Sequence, residues 1–334
     1  MMDNYGFYTG KSFDAYEFFG CHIDENGAVF RVFAPAAVRI SVIGEFNGWQ
    51  DTPMNKIGDG NFWAVYIEGV KPGQMYKYKI YKPDGSCMDH CDPYGYGMEL
   101  RPASASIVRN LYGYEFQDDA WMKKRSNGVA SALNIYEIHA GSWKKPQNGW
   151  YRYDELAMQL VPYLKEYGYN YIELLPIGEH PCDESWGYQC SGFYSPTSRY
   201  GTLDDYKKMI DILHHNDIGV IMDFVPVHFA LDAYALAKFD GTALYEYPHK
   251  DVGNSEWGSC NFMHSRGEVR SFLQSCANYW LKEYHVDGLR MDAISNMIYW
   301  QGNPARGVNK DAVAFLQNMN EGLTGRHSGI LLAA

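Results

Sequence analysis

The chain changes its hydrophobic period once, and that change limits the folds open to it. From about Ala28 to Val108 apolar residues alternate in short runs, at Val29–Phe33, Arg39–Gly44, Phe62–Ile67 and Tyr76–Tyr81. Turn formers separate the runs at Asn47-Gly48, Asp59-Gly60, Lys71-Pro72-Gly73 and Pro83-Asp84-Gly85. Period-two runs at this spacing predict an antiparallel β-sandwich, which we assign to residues 15–110, and the chain up to about Tyr112 is expected to fold on its own. After Asn134 short apolar strands alternate with helical stretches. The strands are read at Ile135–His139, Tyr171–Leu175, Gly219–Asp223, Val286–Met291 and Ile330–Ala333. The helices are read at Tyr153–Tyr167, Leu203–His215, Arg266–Tyr284 and Lys310–Leu323. Repeated βα units with buried parallel strands mean an α/β fold, either doubly wound or a closed barrel. There is neither a G-x-G-x-x-G nor a Walker loop to support the first. Long insertions at Pro176–Thr202 and Pro226–Ser265 follow strand ends, where barrels build active sites. Residues 134–334 are therefore read as an incomplete (β/α)8 TIM barrel, strands one to five only, and 111–133 as a linker.

Composition narrows the partners. The 28 Tyr, 16 Phe and 9 Trp suit stacking on sugar faces, and they fill sandwich cores equally well. A net charge of −11 argues against nucleic acid as a partner and leaves a neutral polymer open. The N-terminus lacks a basic and apolar signal pattern, and no apolar run approaches the ~18 residues of a membrane span. Seven scattered cysteines suit reduced thiols in a cytoplasm better than a disulfide framework. Cys87, His90 and Cys91 have no second ligand pair at zinc spacing, so neither a metal nor a cofactor is expected. His214-His215 ends a helix and reads as a solvated, dipole-compensating pair.

Polar residues recur at the strand ends. The third strand runs into Asp223-Phe224-Val225-Pro226-Val227-His228, and the fourth carries Arg290-Met291-Asp292. Residues two apart on a strand share a face, so Arg290 and Asp292 point the same way. A cation beside a carboxylate favours its ionised form, as a glycosidic nucleophile requires. The same residues also fit a plainer role, with Asp292 capping the next helix and Arg290 paired to it.

Asp223–His228 and Gly288–Ala293 resemble the first two of four signature regions of the alpha-amylase superfamily. Within it, Val225–Phe229 is similar to the Val-Pro-x-His-Phe typical of 1,4-alpha-glucan branching enzymes. Gly44-Glu45-Phe46-Asn47-Gly48-Trp49 resembles a strand end of a family 48 carbohydrate-binding module. The likeness continues through Asp92-Pro93-Tyr94, Arg101-Pro102, Tyr136–Trp143, Glu173–Pro176, Ser185–Gln189 and Tyr194–Gly201. It implies that Asp292 is the nucleophile of a retaining mechanism and that Arg290 orients it. It further implies that Tyr188 stacks on the sugar at the cleaved bond, that His228 hydrogen-bonds that sugar, and that Asp223 anchors Arg290. We place Asp223, Gln189 and Trp186 with Tyr188 and His228 among the substrate-binding residues, Trp186 as an outer platform. Trp49 and Trp63 suit either a glucan groove or the sandwich core, and Trp257 is equally ambiguous.

One part of the family pattern is missing. Retaining cleavage needs a second carboxyl group, which the family places as a Glu at the end of the fifth barrel strand. The fifth strand here runs to Ala334, so that Glu is expected as the very next position of a longer protein. A later His-Asp pair and strands six to eight are also absent. The resemblance thus implies the N-terminal portion of an enzyme acting on α-1,4-glucan, stopping before its acid/base. The alternatives are a debranching or trehalose-releasing hydrolase, or a glucan-binding polypeptide without turnover.

Overall fold

A computed structural model describes residues 2–128 and 132–334, so positions 129–131 of the expected linker lie outside the described residues. The alternating runs form two antiparallel sheets. One orders Gly20–Ile23, Gly27–Phe33, Phe62–Glu68 and Asn55–Ile57; the other orders Thr52–Pro53, Arg39–Gly44, Met75–Tyr81 and Cys87–His90. Ser106–Ile107 adds to Met75–Tyr81. Alternate residues face inward, so Phe30, Val32, Ile40, Val42, Tyr76, Tyr78 and Ile80 are buried between the sheets. Trp63 joins them at 4% exposure and donates its Nε1 proton to the Ala34 carbonyl at 3.0 Å. Trp63 is therefore core, whereas Trp49 stays 42% exposed after the turn Glu45–Asn47.

The second half builds a five-stranded parallel sheet in the order Ile135–Ile138, Tyr171–Leu174, Gly219–Phe224, Gly288–Met291 and Leu331–Ala333. Helices Tyr153–Tyr167, Leu203–His214, Gly267–Glu283 and Lys310–Arg326 connect and cover it. Each bound lies within three residues of the one read from the sequence. Strand Gly219–Phe224 is buried at every position, as a central strand covered on both faces must be.

Three features depart from the sequence reading. First, the two halves share one continuous hydrophobic core. Tyr94 packs on Phe19, Tyr194 and Phe272, with ring centroids 4.9–5.2 Å apart, and Tyr96 stacks on Tyr279 at 5.6 Å. The core between the two sheets is continuous with that of the barrel segment, which the faces of Tyr94 and Tyr96 meet. Second, residues ahead of the sandwich form a strap. Helix Asn4–Thr9 and the turn Ala15–Glu17 lie on helix Gly267–Glu283. The Ser271 hydroxyl donates to the Phe7 carbonyl, the Gln274 amide to Gly10 and the Asn278 amide to Phe13, each at 2.9 Å. The close approach needs a glycine at 267, where a Cβ would come within 1.9 Å of the Tyr8 carbonyl oxygen.

Third, His214 is not solvated. Helix Asp119–Ser126 of the linker docks beneath the parallel sheet, and its Trp121 Nε1 donates to Asp287 at 2.8 Å. His214 sits between two buried carboxylates, Nδ1 at 2.7 Å from Asp118 and Nε2 at 2.9 Å from Asp287. Burial lowers the affinity of that ring for a proton, but the Asp287 and Asp118 charges outweigh it and raise the imidazole above its ordinary value. Only its neighbour His215 is exposed. A helix-end position could not reveal this, since both acids come from distant segments. His90 likewise serves packing, its Nδ1 lying 2.9 Å from the Ala235 carbonyl. All seven cysteines are free, and no helix among the described residues is long and apolar enough to cross a membrane.

Candidate active site

Parallel register brings the chemistry together. Asp223 pairs with Arg290 across adjacent strands, and Asp292 follows the end of the second of these, its amide donating to the Phe224 carbonyl at 3.0 Å. The next helix, Ile294–Ile298, is capped at Ala293 with no side-chain cap bond, so Asp292 does not serve as its cap. Ala293 instead takes a left-handed conformation, φ 51° and ψ 37°, which costs a non-glycine residue ~1–2 kcal/mol. That turn lifts the chain off the strand directly after Asp292.

Arg290 Nη1 donates to Asp292 Oδ1 at 2.7 Å and to both oxygens of Asp223 at 2.9 and 3.1 Å. The Tyr188 hydroxyl, from the loop after the second strand, donates to Asp223 Oδ2 at 2.7 Å. Burial pushes the Asp223 carboxyl up to about 7, while the Tyr188 hydroxyl and the Arg290 charge both favour its ionised form. Arg290 itself is held above its ordinary value by the two carboxylates, although burial acts the other way.

A cavity of about 370 Å³ opens beside this cluster, lined by Ser185, Tyr188, Gln189, His228, Trp257 and Asp292. His228 is buried, and burial depresses its ring to about 4, so the imidazole is neutral at pH 7. Its Nδ1 has no hydrogen-bond partner among the described residues. A buried nitrogen left unsatisfied in a cavity wall is suited to a ligand hydroxyl.

The structure separates the residues read from the sequence into three groups. Asp292, Tyr188, His228 and Gln189 share the cavity wall. Asp223 and Arg290 stand behind it. The Asp223 side chain, grouped above with the substrate-binding residues, is 1% exposed, and its oxygens are taken by Tyr188 and Arg290. Trp186 is 54% exposed and faces a separate cavity of about 240 Å³ with His139, Trp150, His180, Asp183 and Arg199. The rotation that carries it away is a left-handed backbone at Trp186, φ 53°, followed by Gly187. Trp257, left ambiguous by the sequence, lines the cavity beside Asp292. Its position depends on a strand pair within a long insertion, which no local pattern announces.

Comparison with known proteins gives the lineage. Residues 18–95 match carbohydrate-binding module 48 (isoamylase N-terminal domain), and residues 157–251 match the alpha amylase catalytic domain. The chain is 44% identical over 337 residues to a 1,4-alpha-glucan branching enzyme of Fusobacterium nucleatum, covering 100% of this chain and 55% of that protein. It is 45% identical over 330 residues to a 1,4-alpha-glucan branching enzyme of Bacillus caldolyticus, covering 96% and 50%. A pullulanase structure from Bacillus acidopullulyticus superposes with a TM-score of 0.71 at 22% identity, over 94% of this chain and 41% of that one, which is a likeness of fold. The chain spans about half the length of the curated relatives it matches. A module 48 match is thus followed, along one chain, by a match to part of the alpha amylase catalytic domain, and the relatives that span both are 1,4-alpha-glucan branching enzymes.

Proposed function

We propose that this chain is part of a 1,4-alpha-glucan branching enzyme, which cuts an α-1,4 chain and transfers the freed piece to a 6-hydroxyl with retention. In this reading residues 15–110 form the glucan-binding module, 111–133 the linker and 134–334 the catalytic barrel segment, working on cytoplasmic glucan with its thiols reduced. The observation that carries it is the guanidinium of Arg290, bonded at once to Asp223 and to Asp292, with Asp292 open to the cavity.

Asp292 is the nucleophile. Its carboxylate oxygen bonds to the anomeric carbon as the glycosidic C–O bond breaks, and the leaving oxygen takes a proton from a carboxylic acid. An incoming 6-hydroxyl then bonds to the same carbon, the ester bond breaks to free Asp292, and the hydroxyl proton returns to that acid. Arg290 is a positioning residue, holding the attacking oxygen's carboxylate against the anchored Asp223. Tyr188 presents its ring to the sugar while its hydroxyl is tied to Asp223, and His228 accepts or donates a hydrogen bond through its unpartnered nitrogen.

The acid must lie ~5–5.5 Å from the nucleophile in a retaining enzyme. Among the described residues lining the cavity, Asp292 is the carboxylate. Residues 1–334 alone are therefore expected to bind α-glucan without turning it over. The test is Asp292→Asn in the protein extended to the length of its relatives, because an amide cannot form the ester. The iodine colour shift of amylose should fall by ~10³-fold or more in rate with folding intact. Wild-type-like branching in the variant would sink the assignment. Release of reducing ends by the unmutated protein, without a colour shift typical of branching, would favour the hydrolase reading.

A further inference from the structure

Trp257 joins Tyr188 as a large aromatic of the described cavity wall and comes from the second long insertion, Pro226–Ser265, and its surroundings set it apart from a packing residue. Trp63 and Trp280 are core tryptophans and are covered, at 4% and 1% exposure, whereas Trp257 is 43% exposed. Its backbone is nevertheless tied down by hydrogen bonds. Ser255–Ser259 closes as a tight turn, with the Ser255 amide donating to the Ser259 carbonyl at 2.8 Å. The Ser255 hydroxyl accepts from the Trp257 amide and from the Ser259 amide, both at 3.2 Å. Two tethers then fix the turn to the site. Cys260–Asn261 pairs with His228–Phe229, placing Asn261 opposite His228, and the Gln189 amide donates to the Trp257 carbonyl at 2.9 Å. The indole ends 5.3 Å from the His228 ring, tilted by 40°.

A rigid, exposed indole pays little entropy to hold a ligand. Its face offers no hydrogen bond to water but does offer a flat apolar surface to the C–H face of a pyranose. The unpartnered Nδ1 of His228 lies in the same wall and can take a hydroxyl of that sugar. We propose that Trp257 is a specificity-determining residue: its indole carries the glucosyl unit adjoining the one held at Asp292, so that a sugar chain and not water occupies the approach to the nucleophile. This rests on the glucan reading of the site given above.

The experiment titrates maltoheptaose calorimetrically into residues 1–334 as wild type, Trp257→Ala and Trp257→Phe, with circular dichroism to check folding. Loss of the indole should weaken binding by ~10-fold, and the phenyl ring should restore it to within ~3-fold of wild type. In the protein extended to the length of its relatives, Trp257→Ala should raise the ratio of hydrolysis to transfer on amylose by ~10-fold, with Trp257→Phe close to wild type. Either readout unchanged in Trp257→Ala overturns the inference. So does a Phe variant as impaired as the Ala variant, since that marks a packing role. If the wild-type chain does not bind maltoheptaose, the glucan reading of the site itself fails, and the inference with it. Binding by wild type with unaltered Trp257→Ala affinity sinks the inference alone.

Discussion

At the scale of single residues, the site depends on one guanidinium serving two carboxylates. A lysine at 290 keeps the charge, but its ammonium on a differently shaped, flexible stem does not place a donor where Arg290 Nη1 meets both Asp223 and Asp292. Arg290→Lys in the extended protein should lower kcat by ~10²-fold with little change in KM, because the loss is of orientation and not of sugar contacts. A steady-state assay on amylose checks this, and a change confined to KM would contradict it. A second prediction concerns His264, which is buried with its Nε2 2.9 Å from the Pro226 carbonyl. Burial depresses its ring to about 4, against ~6.5 in the unfolded chain. Between those values the unfolded state binds the extra proton, so the contribution of this residue to stability is present above pH 6.5 and lost as pH falls toward 4. His264→Gln should flatten the dependence of unfolding free energy on pH in that window by about 1.4 kcal/mol per pH unit. Denaturant titrations at pH 4.5, 5.5 and 6.5 measure the slope; an unchanged slope refutes the argument. The pairing of Arg290 with Asp292 was legible from their two-residue spacing on a strand. The placement of His214 between Asp118 and Asp287 was not, since those acids lie 96 and 73 positions away.

At the scale of elements, the long periodic ones were readable because packing follows their period. Tyr153–Tyr167 and Arg39–Gly44 have the bounds that their patterns suggest, since each presents a continuous apolar face. Thr52–Pro53 and Asn55–Ile57 were not readable, because pieces of two or three residues at sheet edges carry no period at all. Nor was helix Asn4–Thr9, which owes its place to the strap contacts with helix Gly267–Glu283. Those contacts yield a third prediction. Gly267→Ala puts a methyl where the Tyr8 carbonyl lies and should cost ~1–3 kcal/mol, with residues 2–17 released from the helix. Hydrogen exchange should show faster exchange at Lys11 and Tyr16, whose amides bond to Gly6 and Ser275. Protection equal to wild type at both would show that the helix can shift to admit the methyl.

At the scale of the molecule, the shared core changes what a domain boundary means here. Residues 15–110 expressed alone would expose the faces of Tyr94 and Tyr96 that now meet Tyr194, Phe272 and Tyr279. The piece should be poorly soluble or lack a cooperative thermal transition, whereas residues 1–334 should melt cooperatively. A sharp transition from the isolated sandwich at the temperature of the 334-residue chain would show that the aromatic contacts add nothing to its stability.

The sequence by itself determined the two architectures, their order and the strand ends that bear Asp223, Arg290 and Asp292, because period and spacing are local properties of a chain. Tertiary structure decided which of those side chains reach open space. It set Asp223 behind the wall, turned Trp186 into a different cavity and brought Trp257 beside His228. Each outcome depends on register between distant strands and on loops tied by particular hydrogen bonds, and neither is written in the periodicity of any one segment.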